Sequence, residues 1–426
     1  VKDLLQCLEE RGLIESIAGE DLRGCLDKSR KVYVGFDPTA DSLHLGNFVG
    51  MIALSWFQRF GHTPIVLLGG ATGKIGDPSG KSKERPLLDE ETLRKNIEGI
   101  RQNFLHILDF SGKLPVPILV NNDEWLSPFS LVSFLRDVGK HFRVGPMLAK
   151  ESVRSRVQSE EGMSFTEFSY QLLQAYDFYH LFHEQDVLIQ MGGSDQWGNI
   201  TAGIDLIRRL EGKSAYGLTF PLIVRSDGKK FGKSEEGAIW LSKDKLSPYA
   251  FYQYLMQIPD QDVITLLKRL TFLDIEKIED LAEEMRQVSY LPNTAQRLLA
   301  EEVTKLVHGE EGLALARRIT EGVRPGALAS LSLETLESIA QEMPHVELVK
   351  EEVISVKFTE VAVRSGLVSS KREAVHLIQN QGAYVNQERV EDPAYLLCNK
   401  DLIGDKYLVL GSGKKKKILI HVIQKE

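Results

Sequence analysis

Two stretches far apart in the chain have the makings of a phosphate clamp. In the first, His44-Leu-Gly-Asn47 follows the apolar run Lys31–Phe36 and a turn over Asp37–Ser42 in which Pro38 bars a helix. His44 can donate a hydrogen bond to a phosphate oxygen. Gly46 lets a phosphate approach backbone amides at a helix start, where the dipole favours anions. Asn47 sits at the same helix mouth and can donate through its amide. In the second, Lys230-Phe-Gly-Lys-Ser234 follows a predicted strand and a Ser226-Asp-Gly228 turn. Two lysines, Lys230 and Lys233, flank a small flexible centre and can close over a transferring phosphoryl group. Such a pair accelerates reaction by arranging charge rather than by taking a proton.

Two further stretches add polar groups. Gly69-Gly-Ala-Thr-Gly-Lys-Ile-Gly-Asp-Pro-Ser-Gly-Lys-Ser-Lys-Glu-Arg85 is glycine-rich, which suits close approach by a ligand. It is not a Walker A loop, because Ile75 stands where that pattern needs glycine. Lys81 and Arg85 either meet polyphosphate or are surface charges. In Met191-Gly-Gly-Ser-Asp-Gln-Trp-Gly-Asn199, Asp195 can accept from both hydroxyls of a ribose. Gly192 and Gly193 permit close backbone contact with a sugar or base, and Gln196 can donate to a carbonyl or phosphate oxygen. Tyr33, Asp77, Tyr170, Gln174 and Asp177 form a second polar set. The last three follow at i, i+4 and i+7, so they share one helical face, either a small-ligand pocket or a solvated surface.

These groups need a scaffold, and the pattern predicts one. Strands are expected at Lys31–Phe36, His62–Gly70, Val116–Val120, Val187–Met191 and Leu218–Val224. Helices are expected over 3–30, Gly46–Phe60, 89–108 and Asn199–Leu210. Strand–helix–strand order implies parallel pairing through right-handed crossovers, hence an α/β fold with a Rossmann-like parallel sheet. Active sites on such sheets lie past the carboxyl ends of the strands, where the order reverses. Residues 123–187 interrupt the rhythm as an aromatic-rich helical insertion, read as ordinary core, a subunit interface or a pocket wall. The expected division is a catalytic domain over 1–247, an all-helical domain over 248–322, a linker over 323–353 and a small α+β domain over 354–426.

The chain has 426 residues, 42% of them hydrophobic and 26% charged, and three cysteines without metal or redox spacing. No apolar run reaches the ~18 residues of a membrane span. The first residues are acidic and amphipathic, unlike a secretory signal or an Arg-rich transit peptide. The net charge of −8 is uneven: residues 355–426 hold 12 Lys+Arg against 8 Asp+Glu. An acidic body with a basic tail hints at a polyanion met mainly by the tail.

The ordered set of motifs resembles class I aminoacyl-tRNA synthetases, and more closely the bacterial-type or organellar tyrosyl-tRNA synthetases. The resemblance runs through Tyr33-Val-Gly-Phe-Asp-Pro-Thr39, Gly76-Asp-Pro-Ser-Gly80, Ser164-Phe-Thr-Glu-Phe-Ser-Tyr170, Leu173-Gln-Ala-Tyr-Asp177 and Gly192–Asn199. His44–Asn47 matches the His-Ile-Gly-His box and Lys230–Ser234 the Lys-Met-Ser-Lys-Ser loop. Asn47 stands for the usual second histidine, and Phe231 and Gly232 stand for Met and Ser. The resemblance implies tyrosine-tRNA ligation through tyrosyl-adenylate, without a covalent enzyme intermediate. Tyr33 and Asp177 are expected at the tyrosine phenol. Asp77, Tyr170 and Gln174 are expected at its α-amino group, with Asp37 and Gln196 framing the amino acid. Thr39, Gly46, Gly192 and Asp195 are expected at ATP. His44, Asn47, Lys81, Arg85, Lys230 and Lys233 are expected at the α-phosphate and leaving pyrophosphate. Mg2+ would accompany the nucleotide, with no standing protein metal site.

The tail, Ser370-Lys-Arg-Glu-Ala374 and Gly382–Arg389, resembles the S4 RNA-binding domain. Lys371, Arg372, Lys414, Lys415, Lys416 and Lys417 are then expected on RNA phosphates. Expected partners are L-tyrosine, ATP, tRNA(Tyr) and a second copy of the chain, with no membrane. The expected place is a bacterial cytoplasm, or an organellar stroma or matrix if a transit peptide has been removed. Rival readings are a nucleotidylyltransferase of the same fold and an RNA-binding protein with secondary or lost catalysis.

Overall fold

The computed structural model describes residues 3–79, 88–160, 162–226, 231–234, 237–322, 333, 336, 337, 340, 343–413 and 416–423. Lys81, Arg85, Lys230, Lys414 and Lys415 lie outside the described residues, and Lys233 is described through its backbone alone. The chain divides into two compact units, Val1–Ser242 with Pro259–Pro292, and Lys243–Ile258 with Asn293–Glu426.

The first unit is built on a six-stranded sheet. Its strands are β1 (Ser16–Ala18), β2 (Lys31–Phe36), β3 (Thr63–Leu68), β4 (Ile118–Asn121), β5 (Val187–Gly193) and β6 (Tyr216–Phe220), in the order β1-β6-β5-β2-β3-β4. All neighbours are parallel except β1, which joins β6 antiparallel. The central strands are apolar on both faces, as a sheet covered on both sides requires: Val32, Tyr33, Val34, Ile65 and Val66 are buried. The chain runs outward from β2 to β4, then returns beside β2 as β5 and runs outward again. The order therefore reverses between β2 and β5, and both strands end at predicted site residues.

Helix α3 (Phe48–Arg59), the crossover from β2 to β3, buries eleven of its residues, Phe48 through Gln58. Such a helix belongs inside a layer rather than on a surface. Helices α4 (Glu90–Phe104) and α10 (Trp197–Glu211) instead show one apolar stripe each. The long α9 (Phe165–Gln185) begins at Ser164, whose Oγ accepts the Glu167 N–H at 3.2 Å. It ends at Asp186, in the left-handed conformation. Two more helices complete this unit, α12 (Asp260–Leu270) and α13 (Ile275–Glu284).

Three expectations change. Residues 3–30 are two short helices, α1 (Leu4–Glu10) and α2 (Leu22–Cys25), with β1 between them rather than continuous helix. Gly12 and Gly19, at φ +66° and +98°, break the helical path, and a three-residue strand carries too little periodicity to be read. The helices expected as one domain over 248–322 are shared between the units. Helix α11 (Pro248–Met256) packs with α14 (Thr294–Gly322) in the second, while α12 and α13 belong to the first. Residues 345–349, expected as linker, form an edge strand.

In the second unit, α14 is two helical stretches joined at Gly309, whose φ of 70° and ψ of −177° are not helical. The sheet runs β11-β10-β12-β13-β9 through Glu388–Arg389, Ala383–Val385, Tyr407–Ser412, Lys416–Ile423 and His345–Val349. Helices Phe358–Arg364 and Lys371–Gln379 close a core of Phe358, Val361, Leu408, Leu410 and Ile420. Among the described residues no helix is long and apolar enough to cross a membrane.

Candidate active site

Past the ends of β2, β3 and β4 the buried polar side chains form one chain of hydrogen bonds. The Tyr170 hydroxyl donates to Asp37 Oδ2 at 2.8 Å, and the Thr72 hydroxyl donates to Asp37 Oδ1 at 2.8 Å. Asn122 Nδ2 donates both to Thr72 Oγ1 and to Asp177 Oδ2, each at 2.9 Å. Trp125 Nε1 donates to Asp177 Oδ1 at 2.8 Å. Asn122 Oδ1 in turn accepts the Ala71 N–H at 2.8 Å, which fixes the amide's orientation. The glycine of this turn is obligatory: a Cβ at Gly69 would stand 2.1 Å from Asp37 Oδ1.

Asp177 is 2% exposed. Burial pushes its carboxyl up to about 7, against the pull of the Asn122 and Trp125 donors. Tyr33, on β2, is fully buried, and its hydroxyl has no hydrogen-bond partner among the described residues. Burial and the charge of Asp177 push its phenol well above the ordinary value. Tyr170 is raised likewise, by burial first and then by the negative charges of Asp37, Asp77 and Asp177. Asp37 accepts the Tyr170 hydroxyl directly, and the negative charges of Asp77 and Asp177 reach it as well. A cation placed there would be drawn in strongly, because low local dielectric magnifies the attraction.

A second chain lies past β5. Gln196 Nε2 donates to Asp77 Oδ2 at 2.6 Å, and the Ser79 N–H donates to Asp77 Oδ1 at 2.9 Å. The Asn199 amide donates to Gln174 Oε1 at 3.0 Å and to Gln196 Oε1 at 3.3 Å. Asp195 follows the last strand residue, and its Oδ1 would stand 2.6 Å from a Cβ at Gly193. That glycine lets the carboxylate lie against the backbone. The helical face predicted from Tyr170, Gln174 and Asp177 thus joins these hydrogen-bond chains rather than open solvent, and each of the three meets a different neighbour.

The His44 box folds on itself. The Gly46 N–H donates to His44 Nδ1 at 3.1 Å, and the His44 N–H donates to Asn47 Oδ1 at 3.2 Å. With Nδ1 accepting, the neutral ring carries its proton on Nε2, so the imidazole is a donor at its far edge. Gly46 thereby does something other than expected: its amide meets the imidazole, and a Cβ there would stand 2.9 Å from His44 Cε1. Asn47 is the N-cap of α3, but its side chain makes no cap bond and steadies the His44 backbone.

The lysine segment is laced to that box. The Leu45 N–H donates to the Ile239 carbonyl at 2.8 Å, the Leu241 N–H to the Leu43 carbonyl at 2.9 Å, and His44 pairs antiparallel with Trp240. The Ile239 N–H donates to the Gly232 carbonyl at 2.8 Å. Gly232 has φ +77°, and a Cβ there would stand 2.7 Å from the Gly46 nitrogen. Both conditions exclude the serine common at this place in the resembling family. Phe231 is buried at 6% exposure beside it. A two-stranded turn, β7 (Lys233–Ser234) with β8 (Gly237–Ala238), follows.

Thr39 is exposed in the turn, where its N–H donates to the Asp37 carbonyl at 2.9 Å. Thr72, Ser79, Asn122, Trp125 and Asn199 were not singled out. Each is a neutral polar residue, and only its hydrogen bonds to the predicted site residues or to one another mark it. Among the described residues no group of three or more His, Cys, Asp or Glu is placed to hold a metal ion.

In the second unit, Ser370 caps its helix by accepting the Glu373 N–H at 3.2 Å, while Glu373 Oε2 reaches back to the Ser369 N–H at 2.7 Å. This reciprocal cap presents Lys371 and Arg372 to solvent in the first turn. Lys371 pairs with Glu360 at 2.8 Å, and Lys416 is exposed and donates to the Gly366 carbonyl at 3.1 Å. Strand alternation turns Lys417 the other way. Its amine is buried over the Tyr384 ring, 5.5 Å from the centroid, and donates to the Gly413 carbonyl at 3.2 Å. Burial lowers its pKa to about 8. Lys417 is therefore not presented for a phosphate contact as the sequence suggested.

Comparison with known proteins adds an independent finding. The model for tRNA synthetases class I (W and Y) matches residues 27–323, and that for the tyrosine–tRNA ligase SYY-like C-terminal domain matches residues 335–420. The chain is 52% identical over 422 residues, 99% of each chain, to the tyrosine–tRNA ligase of Protochlamydia amoebophila. It is 51% identical to the chloroplastic/mitochondrial tyrosine–tRNA ligase of Arabidopsis thaliana, across 99% of this chain and 84% of the relative. Among solved structures it resembles a C-terminally truncated mitochondrial tyrosyl-tRNA synthetase of Aspergillus nidulans. The TM-score is 0.65 at 32% identity, covering 74% of this chain and 92% of that one. With its polar pocket at the sheet's reversal point and its His44 box laced to a lysine segment, the chain belongs to the class I tRNA synthetases of the tyrosyl and tryptophanyl type.

Proposed function

We propose that the protein is a tyrosine–tRNA ligase. It activates L-tyrosine with ATP to tyrosyl-adenylate and pyrophosphate, and then passes the tyrosyl group to the 3′-terminal adenosine of tRNA(Tyr). The observation that carries the choice of amino acid is the pair Tyr33 and Asp177. A buried phenol without a partner among the described residues feels the charge of a buried carboxylate whose oxygens are already oriented by Trp125 and Asn122. A ligand hydroxyl seated there satisfies both groups, and a ligand lacking it leaves them unpaired at a cost of ~1–3 kcal/mol each.

The α-ammonium of the substrate takes the place where Asp77, Tyr170 and Gln174 converge. The negative field of Asp37 and Asp77 around Tyr170 supports this assignment. Asp195, with Gly192 and Gly193 behind it, receives the adenosine ribose. The substrate carboxylate is already a nucleophile and needs no general base. Its attack on the α-phosphorus builds negative charge on phosphate oxygens as pyrophosphate departs. His44 donates from Nε2, and Lys81, Arg85, Lys230 and Lys233 supply positive charge, contacts that strengthen as the charge develops. Mg2+ would accompany ATP and would offset the charge of its polyphosphate. Thr39 and Asn47 lie at the edge of the same region.

Exposed apolar residues of the insertion, Leu131 at 72%, Val132 at 74% and Phe165 at 73%, support a homodimer formed through that segment. Lys371, Arg372 and Lys416 meet RNA phosphates, with Lys414 and Lys415 beside them in sequence. The test is amino-acid-dependent pyrophosphate exchange: tyrosine supports it, whereas phenylalanine and tryptophan do not. Equal exchange with phenylalanine would refute the pocket assignment, and exchange without any amino acid would favour a nucleotidylyltransferase.

A further inference from the structure

Asn122 and Trp125, the two donors that orient Asp177, sit on a short piece of chain that cannot hold itself rigid. It leaves β4, the edge strand of the sheet, whose residues are only half-buried. It then makes the one-turn helix Asp123–Leu126. A single turn fixes several dihedrals for very few hydrogen bonds and is unstable alone. Its N-cap, Asn122, makes no side-chain cap bond; that amide is committed instead to Ala71, Thr72 and Asp177.

The loop past β3 supplies the missing support, through three consecutive residues. Asn121 Oδ1 accepts the Gly70 N–H at 3.2 Å, and Asn122 takes Ala71 and Thr72 as described. Asp123 Oδ1 accepts from the Lys74 amine at 3.1 Å. The first of these contacts is close: a Cβ at Gly70 would stand 2.2 Å from Asn121 Oδ1. Lys74 ends the short 3-10 turn Thr72–Lys74, so its tether lies two residues beyond Thr72. Asp123 is itself held in place. Its Oδ1 accepts the Ser127 hydroxyl at 2.6 Å, and its N–H donates to Asn121 Oδ1 at 3.0 Å. The Ser127 and Lys74 contacts keep its carboxyl below the ordinary value, hence ionised. Glu90, 3.6 Å from the same amine and with its side chain 91% exposed, is the looser partner of Lys74.

We propose that the Lys74–Asp123 ion pair is a positioning device for recognition of the tyrosine phenol, acting through Asn122 and Trp125 on Asp177. The pair ties the residue after Asn122 to the loop, so both donors reach Asp177 from a fixed base. A freer base leaves the carboxylate less often set to accept a ligand hydroxyl. The two side chains are 36% and 39% exposed, so the effect is modest and sensitive to salt. The inference rests on the functional reading above, in which Asp177 receives the phenol.

The experiment measures the Kd for L-tyrosine by calorimetry on the full-length protein, at about 0.05 M and about 0.5 M potassium chloride. Lys74→Ala and Asp123→Asn should each weaken binding about 2–5-fold at low salt. The double variant should lose no more than either alone, because the two residues act as one pair. Lys74→Arg should restore parental affinity, and Glu90→Ala should match the parent. At high salt the gap between parent and variants should narrow. In exchange kinetics the loss should fall on the KM for tyrosine and leave kcat unchanged. In an Asp177→Asn background, Lys74→Ala should cost nothing further. Unchanged affinity in both single variants, losses that multiply in the double variant, or a full loss on top of Asp177→Asn would each overturn the proposal. Parent protein that binds no tyrosine would instead strike the functional reading itself, and this inference with it.

Discussion

The indole of Trp125 joins the buried Asp177 carboxylate to His180, both on α9. Its Nε1–H holds Asp177 Oδ1 at 2.8 Å, while its ring stacks on His180 with centroids 4.4 Å apart and planes 17° from parallel. Asp177 cannot turn without breaking that bond, and Trp125 cannot tilt without unstacking from His180. Trp125→Phe keeps the stack and removes the donor. It should raise the KM for tyrosine about 5–30-fold, from a lost charge-assisted bond of ~1–2 kcal/mol. The KM for ATP should stay within twofold, roughly the scatter of such comparisons. Steady-state exchange kinetics on both substrates check this.

Asp177 also sets a pH dependence. Its carboxyl is raised by burial from the ordinary 3.8 to about 7. The neutral form is thus favoured by the fold. The associated stability is fully present below the ordinary value and is lost as pH rises toward 7. Ligand binding runs the opposite way, because the ionised oxygen is the better acceptor for a phenol hydroxyl. The KM for tyrosine should therefore fall as pH rises through about 7. Asp177→Asn should flatten that profile and weaken binding at every pH. A pH series of exchange kinetics from 6 to 8 separates the two behaviours.

Gly232 carries the junction between the lysine segment and the His44 box. At φ +77°, with the Gly46 nitrogen 2.7 Å from the site of any Cβ, even alanine is excluded without moving the backbone. Gly232→Ala should lower kcat for activation by about 10–100-fold through displacement of Lys233 and the Leu45–Ile239 pairing. The KM for tyrosine, whose pocket lies on other elements, should not change. Restoring serine at this position should be no better than alanine.

Arg156 and Glu167 form a buried ion pair, with side chains 5% and 3% exposed and Nη2 to Oε2 at 2.7 Å. A second bond, Nη1 to Oε1 at 3.1 Å, makes it bidentate. Glu167 lies in the first turn of α9, one turn before Tyr170. Arg156→Ala leaves a buried carboxylate unpaired and should cost about 3–5 kcal/mol of stability. Replacing both partners by apolar residues of similar size should recover most of it. Urea denaturation of the single and double variants checks the comparison.

Much of the site was legible because its chemistry needs charged or glycine residues in order along the chain. Asp37, His44, Asp77 and Asp195 lie past strand ends, as the alternation of strands and helices implied, and Asp177 lies within α9 on the helical face its spacing predicted. Tyr33 could be grouped with Asp77, Tyr170, Gln174 and Asp177, but its place at the tyrosine phenol came only through the resemblance, since a tyrosine within an apolar strand reads as core. Thr72, Asn122, Trp125 and Asn199 carried no signal, because a neutral polar residue becomes informative only when it is buried against a carboxylate. The short strand Ser16–Ala18 and the edge strand His345–Val349 escaped for a related reason: their pairing partners are remote. Lys417 was misread because a run of lysines looks uniform, whereas strand pleating sends adjacent side chains to opposite faces.

Sequence alone determined the parallel α/β class, the order of the phosphate-facing motifs and the family to which the chain belongs. Local spacing and residue chemistry suffice for these. Tertiary structure alone decided which oxygen accepts from which donor and that Gly232 must lie against Gly46. Those relationships join residues far apart in the chain, and they exist only once burial has removed water as the competing partner.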